Sequence, residues 1–106
     1  MADPQSDNPI TSIYATDDEM AELVEFFVDE LPERIATFAE ALDAENWETV
    51  RTISHQLKGA APGYGFESVG EAAGKVERLV IDQASVDQTN EAARSFIALC
   101  GRVAKA

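Results

Sequence analysis

The chain has 106 residues, 45% of them hydrophobic, the length and composition of one soluble globular domain. Twenty acids against eight bases leave a formal charge of −12. Nucleic-acid backbones and anionic membrane surfaces both require a basic partner, so neither is expected, and the partners should be proteins or small molecules.

Residues 1–14 are rich in Pro, Asp, Asn and Ser and are predicted to be a flexible lead-in to a single helical domain over residues 15–106. This opening has no signal-peptide stretch, and no later run is apolar and long enough to span a bilayer, so a cytoplasmic location is expected. Thr16 and Glu19 have capping-box spacing, and Met20, Leu23, Val24, Phe27 and Leu31 then recur at intervals of three and four. This predicts a first helix ending near Glu30. Pro32 is tolerated in a first turn, so a second helix is predicted from there to about Ala44, with Leu31, Ile35, Phe38 and Leu42 as its stripe.

Asn46 is a suitable N-cap for a third helix with Val50, Ile53 and Leu57 on its apolar side, stopped by Pro62 and Gly63. A fourth helix from about Phe66 carries Val69, Ala72, Ala73, Val76, Leu79 and Val80; Gly70 and Gly74 share one flank of it, where close helix packing is expected. Ser85 and Gln88 form a second capping box ahead of a fifth helix striped by Ala92, Phe96, Leu99 and Val103. Cys100 has no partner for an intrachain disulfide and reads as a core thiol. No segment alternates with period two, which makes the fold all-α, the longer helices forming a bundle.

The charge is unevenly spread. Residues 17–48 hold twelve acids and one base, whereas residues 49–106 hold six acids and seven bases. The second region contains the stretch RTISHQLKGAAPGYGFESVG, with the chain's only histidine, His55. At about 100° per residue, His55 lies roughly 160° from the centre of its helix's apolar arc and faces water. Arg51, Lys58 and Gly59 lie one turn away on the same face. A solvated imidazole is largely neutral at pH 7 and keeps one nitrogen lone pair for nucleophilic attack. Were it to take up a phosphoryl group, Lys58 could offset the new negative charge, and the bare backbone at Gly59 would let a partner approach. Gly63 and Gly65 read as turn residues after Pro62.

The run His55, Leu57, Lys58, Gly59, then Gly65 and Phe66, resembles the signature of histidine-containing phosphotransfer (HPt) domains of two-component phosphorelays. The likeness extends over roughly residues 15–104, from ELVEFFVDELPERIATFAEALDAENWETVRTISHQLKG to VGEAAGKVERL. It implies an antiparallel four-helix bundle with a short additional N-terminal helix. It also implies that His55 takes a phosphoryl group from an aspartyl phosphate on a response-regulator receiver domain and passes it to another receiver, with a hybrid histidine kinase upstream. Lys58 would support the phosphoryl group, while Arg51, Gln56, Gly59 and Pro62 would face the partner. Pro62 departs from the small residue more usual there, which bears on where the third helix ends.

No Gly-rich phosphate loop of the P-loop type occurs, so the chain is expected to be a monomeric carrier that does not make phosphohistidine from ATP itself, with no cofactor and no metal. Three other readings compete. The dimerisation segment of a histidine kinase also carries Ser-His, but Gln56 stands where that segment has an acid, and too many helices precede the histidine. A non-catalytic acidic adaptor that docks receivers would be marked by loss of the histidine. A carboxylate-bridged metal bundle needs Glu-x-x-His pairs, and Thr52 holds the glutamate place.

Overall fold

The computed structural model describes residues 8–105. Its first helix, α1 (Ala21–Asp43), spans the ground where two helices were predicted, with Pro32 inside it. A helix-interior proline removes the bond to the carbonyl four residues back and costs about 3 kcal/mol. Here the apolar stripe runs through it: Val24, Phe27 and Leu31 before the proline and Phe38, Ala41 and Leu42 after it are all buried. At about 1.5–3 kcal/mol per large side chain, that burial exceeds the local penalty. The short N-terminal helix is therefore not a separate element among the described residues. Nor do Thr16 and Glu19 cap α1. The Asp17 side chain accepts from the backbone N–H groups of Glu19 at 2.9 Å and Met20 at 3.3 Å, making a turn that delays the helix to Ala21.

The next elements follow their local signals closely. Asn46 caps α2 (Trp47–Ala60) by accepting from the Thr49 N–H. A 3-10 turn, Ala61–Tyr64, then carries Pro62, and Gly65 ends it at φ +85°. Gly63 lies within that turn at ordinary φ, so the left-handed requirement falls on Gly65 and not on Gly63. After Phe66 comes α3 (Glu67–Ile81), and Ser85 caps α4 (Val86–Cys100) by accepting from the Gln88 N–H at 3.1 Å. The inner face of α4 is rotated from the predicted stripe: Thr89, Ala93, Phe96 and Cys100 are buried, while Ala92 and Leu99 are only half-buried. Cys100 is the expected core thiol, and burial pushes its pKa up to about 12.

Each helix packs on its neighbour in chain order and α4 returns to α1, closing a four-helix arrangement in which α2 against α3 is the most extensive pair. Phe27 stacks on Tyr64 and on Phe66 at one end, and Phe38 meets Phe96 edge-on further along, with centroids 5.2 Å apart. The expected lead-in divides in two. Residues 1–7 lie outside the described residues; in the remainder Ile10 bridges Val103, and Ser12 and Ile13 bond to Tyr64 and Gly65, so this segment lies against the turn that ends α2.

Candidate functional site

The inner face of α2 is fixed by Val50, Ile53, Ser54 and Leu57, all buried; the Ser54 hydroxyl donates to the Val50 carbonyl at 2.7 Å and so needs no other partner. With Ser54 turned inward, His55 turns outward. Its side chain is 68% exposed, as the angular argument predicts.

His55 is nevertheless held. Its Nδ1 lies 2.7 Å from Oε2 of Glu77 on α3, and the other oxygen of the same carboxylate accepts from Lys58 Nζ at 3.2 Å. Glu77 is 93% hidden from solvent at its side chain, so one buried carboxylate joins the two outward-facing groups of α2. Burial opposes its ionisation, but the hydrogen bonds and charges of Lys58 and His55 outweigh this and hold it below the usual carboxylate range. An ionised Glu77 can only accept, so Nδ1 carries the proton and donates to it. In the neutral imidazole the lone pair then belongs to Nε2, on a side chain that is mostly exposed.

Lys58 lies along α3 before it reaches Glu77. Gly70 and Gly74 of α3 adjoin it. A Cβ at residue 70 would meet the Pro62 ring at 2.7 Å and the Lys58 carbonyl at 3.4 Å, and one at residue 74 would touch the Lys58 stem at 3.4 Å. Gly70 thus has the packing role expected of it, whereas at residue 74 a methyl group would make only ordinary contact. At Gly59 a Cβ would meet nothing within 4 Å, so open space adjoins the histidine face.

The remaining predicted residues share this face in different ways. Arg51 is exposed and has no ion pair among the described residues. Gln56 accepts from Arg34 Nη1 at 3.1 Å, which ties it to α1. Pro62 is exposed on one side and rests against Gly70 on the other. Beside Gln56 and Ala60, a hollow is lined by Phe26, Phe27, Leu31 and Tyr64 with Glu30 and Arg34 among them, and Phe26 is 62% exposed.

Glu77 and Phe26 are functional candidates that the sequence reading missed. Glu77 had a signal: it directly follows core residue Val76 and is four residues past Ala73, a place where an acid needs a partner. Phe26 lay outside the predicted stripe and had none.

Among the described residues no group of His, Cys, Asp and Glu is arranged to hold a metal, and no helix is long and apolar enough to cross a membrane. A family model, the Hpt domain, matches residues 22–106. No curated protein and no solved structure matches significantly.

Proposed function

The chain belongs to the Hpt domain family, which serves phosphotransfer in two-component phosphorelays, and on that premise we propose that His55 is its phosphoacceptor, acting through Nε2. The observation that supports this reading is the His55–Glu77 bond: a proton on Nδ1 donating to the carboxylate leaves the lone pair on Nε2 of a side chain that is 68% exposed.

Nε2 attacks the phosphorus of an aspartyl phosphate on a receiver domain. The N–P bond forms as the P–O bond to the aspartyl carboxylate breaks, and the carboxylate leaves with that electron pair. The Nδ1 proton stays on the ring, which becomes cationic, and Glu77 offsets this charge from 2.7 Å. Lys58 lies on the same carboxylate, within one turn of the phosphoryl group, and offsets part of its negative charge. The reverse step hands the group to a second receiver. The phosphoryl group enters from a partner, a hybrid histidine kinase by way of its receiver, so the chain acts as a carrier without kinase activity of its own.

Docking in this reading uses Gly59 for close approach, the hollow at Phe26 for apolar contact, and Arg51, Gln56 and Pro62 around the histidine. The working unit is a monomeric, antiparallel bundle over residues 15–106, in the cytoplasm. Incubation with phosphorylated receivers tests the assignment. Wild type should acquire an acid-labile, alkali-stable label, and His55→Gln should acquire none while keeping its helicity; transfer that persists in the variant overturns it.

A further inference from the structure

Lys58 and His55 project from one helix, yet both end on a carboxylate of another, and the route of the Lys58 stem explains how. Its backbone carbonyl lies over Gly70, its Cγ and Cδ lie over Gly74, and its Nζ reaches Glu77. The stem therefore runs along the surface of α3 from residue 70 towards residue 77. Gly70, Gly74 and Glu77, spaced by four and three, share one flank of that helix. A side chain larger than methyl at residue 74 would occupy this track, because helical side chains lean towards the N-terminus and residue 74 would cover the ground towards Gly70.

We propose that Gly74 is a positioning residue for phosphoryl transfer: by lacking a side chain it leaves the track in which the Lys58 stem lies, and so holds the ammonium on Glu77 beside His55. The inference rests on the reading of His55 as phosphoacceptor only for its consequence in transfer; the geometry of Lys58 and Glu77 is independent of it. It also separates two kinds of glycine on α3. A Cβ at residue 70 would collide with the rigid Pro62 ring at 2.7 Å, so Gly70 keeps the helices close, whereas a Cβ at residue 74 would make ordinary contact at 3.4 Å. Methyl is tolerated at residue 74 and a longer side chain is not, which puts the constraint on the lysine and not on the helix.

The test uses the full chain with Gly74→Ala, Gly74→Leu, Lys58→Ala and the double variant Lys58→Ala/Gly74→Leu, helicity being checked by circular dichroism and Gly74→Val replacing the leucine variant if that one fails to fold. Two readouts are taken. The first is the titration of the Glu77 carboxyl by carbon-detected NMR, which needs no phosphoryl donor. Gly74→Leu should move the Glu77 midpoint upward by the same shift as Lys58→Ala, the double variant should move it no further, and Gly74→Ala should match wild type. The second is the rate of phosphoryl uptake from a phosphorylated receiver, which Gly74→Leu and Lys58→Ala should lower alike, by about tenfold, less than the 10²–10³ of an enclosed donor because Lys58 is half exposed. An unmoved Glu77 midpoint in the larger variant, or an alanine variant shifted as far as the leucine one, overturns the role of Gly74. Absence of uptake in wild type overturns the phosphoacceptor reading instead, and the Glu77 titration still decides the Gly74 question.

Discussion

Replacing Gly59 by alanine should make the protein more stable, and replacing Gly70 by alanine should make it less so. The residues are neighbours of the same site, and the substitution is the same methyl group. At Gly59 the new Cβ meets nothing within 4 Å, so no packing term opposes the gain in helix propensity. Because Gly59 is in the last turn of α2, that gain is about 0.5–1 kcal/mol, which for a domain of this size raises the melting temperature by roughly 2–8 °C. At Gly70 the Cβ would lie 2.7 and 2.8 Å from two ring carbons of Pro62, which has no flexible end to move aside. Overpacking of this kind costs roughly 1–3 kcal/mol, and the propensity gain cancels only part of it. Thermal melts followed by circular dichroism decide the sign. Gly59→Leu completes the test: it should fold, yet slow phosphoryl uptake, because the bulk stands in the open space where a partner would come close. A melting temperature that falls for Gly59→Ala would refute the placement of this face of α2 towards solvent, and with it the argument that the glycine serves access.

Lys58→Ala should slow uptake more than Lys105→Ala, although each removes one positive charge; Lys105 pairs at 2.9 Å with Asp29 on α1, and equal slowing would mean that net charge and not position matters. The Glu77 carboxylate has a lowered folded-state pKa, so its contribution to stability is fully present above its unfolded value of about 4.3 and is lost as pH falls through the folded value. The stability gap between wild type and Glu77→Gln in urea titrations should accordingly be wide at pH 7 and narrow at pH 3; a gap that widens on acidification would contradict this sign. Phe26→Ser should weaken binding to a receiver severalfold with little loss of stability, since the ring is mostly in solvent, and a large drop in melting temperature would show the ring to be structural. Cys100 should resist thiol reagents in the native protein and react only on unfolding, because burial keeps it protonated.

The sequence foretold best those features whose physics is local. Asn46 and Ser85 cap their helices through their own side chains, and Pro62 with Gly65 turns the chain through their own backbone preferences, so each could be located from a few neighbours. The outward aim of His55 was likewise legible, because it depends only on the angle between that residue and Val50, Ile53 and Leu57 on one helix. Pro32 was misplaced for the converse reason. Its local cost is offset by apolar side chains on both sides that find partners elsewhere in the bundle, and the periodicity of one helix does not disclose how much burial its stripe will obtain. The rotation of α4 towards Ala93 and Cys100 has the same origin. Glu77 is the most instructive omission. Its role depends on α3 crossing α2 at a particular register, set by Gly70 against Pro62, and no spacing within either helix contains that register. The glycines were visible as a packing flank, but what they bring together was not.

In the proposed transfer, Nε2 of His55 receives the phosphoryl group because Glu77 holds the proton on Nδ1. The most direct measurement is nitrogen NMR on the protein labelled at its one histidine, recorded before and after incubation with a phosphorylated receiver. The free protein should show the Nδ1–H tautomer, and a phosphorus-coupled Nε2 resonance should appear afterwards. A phosphorus coupling at Nδ1, or a labelled protein whose histidine resonances do not change, would contradict it.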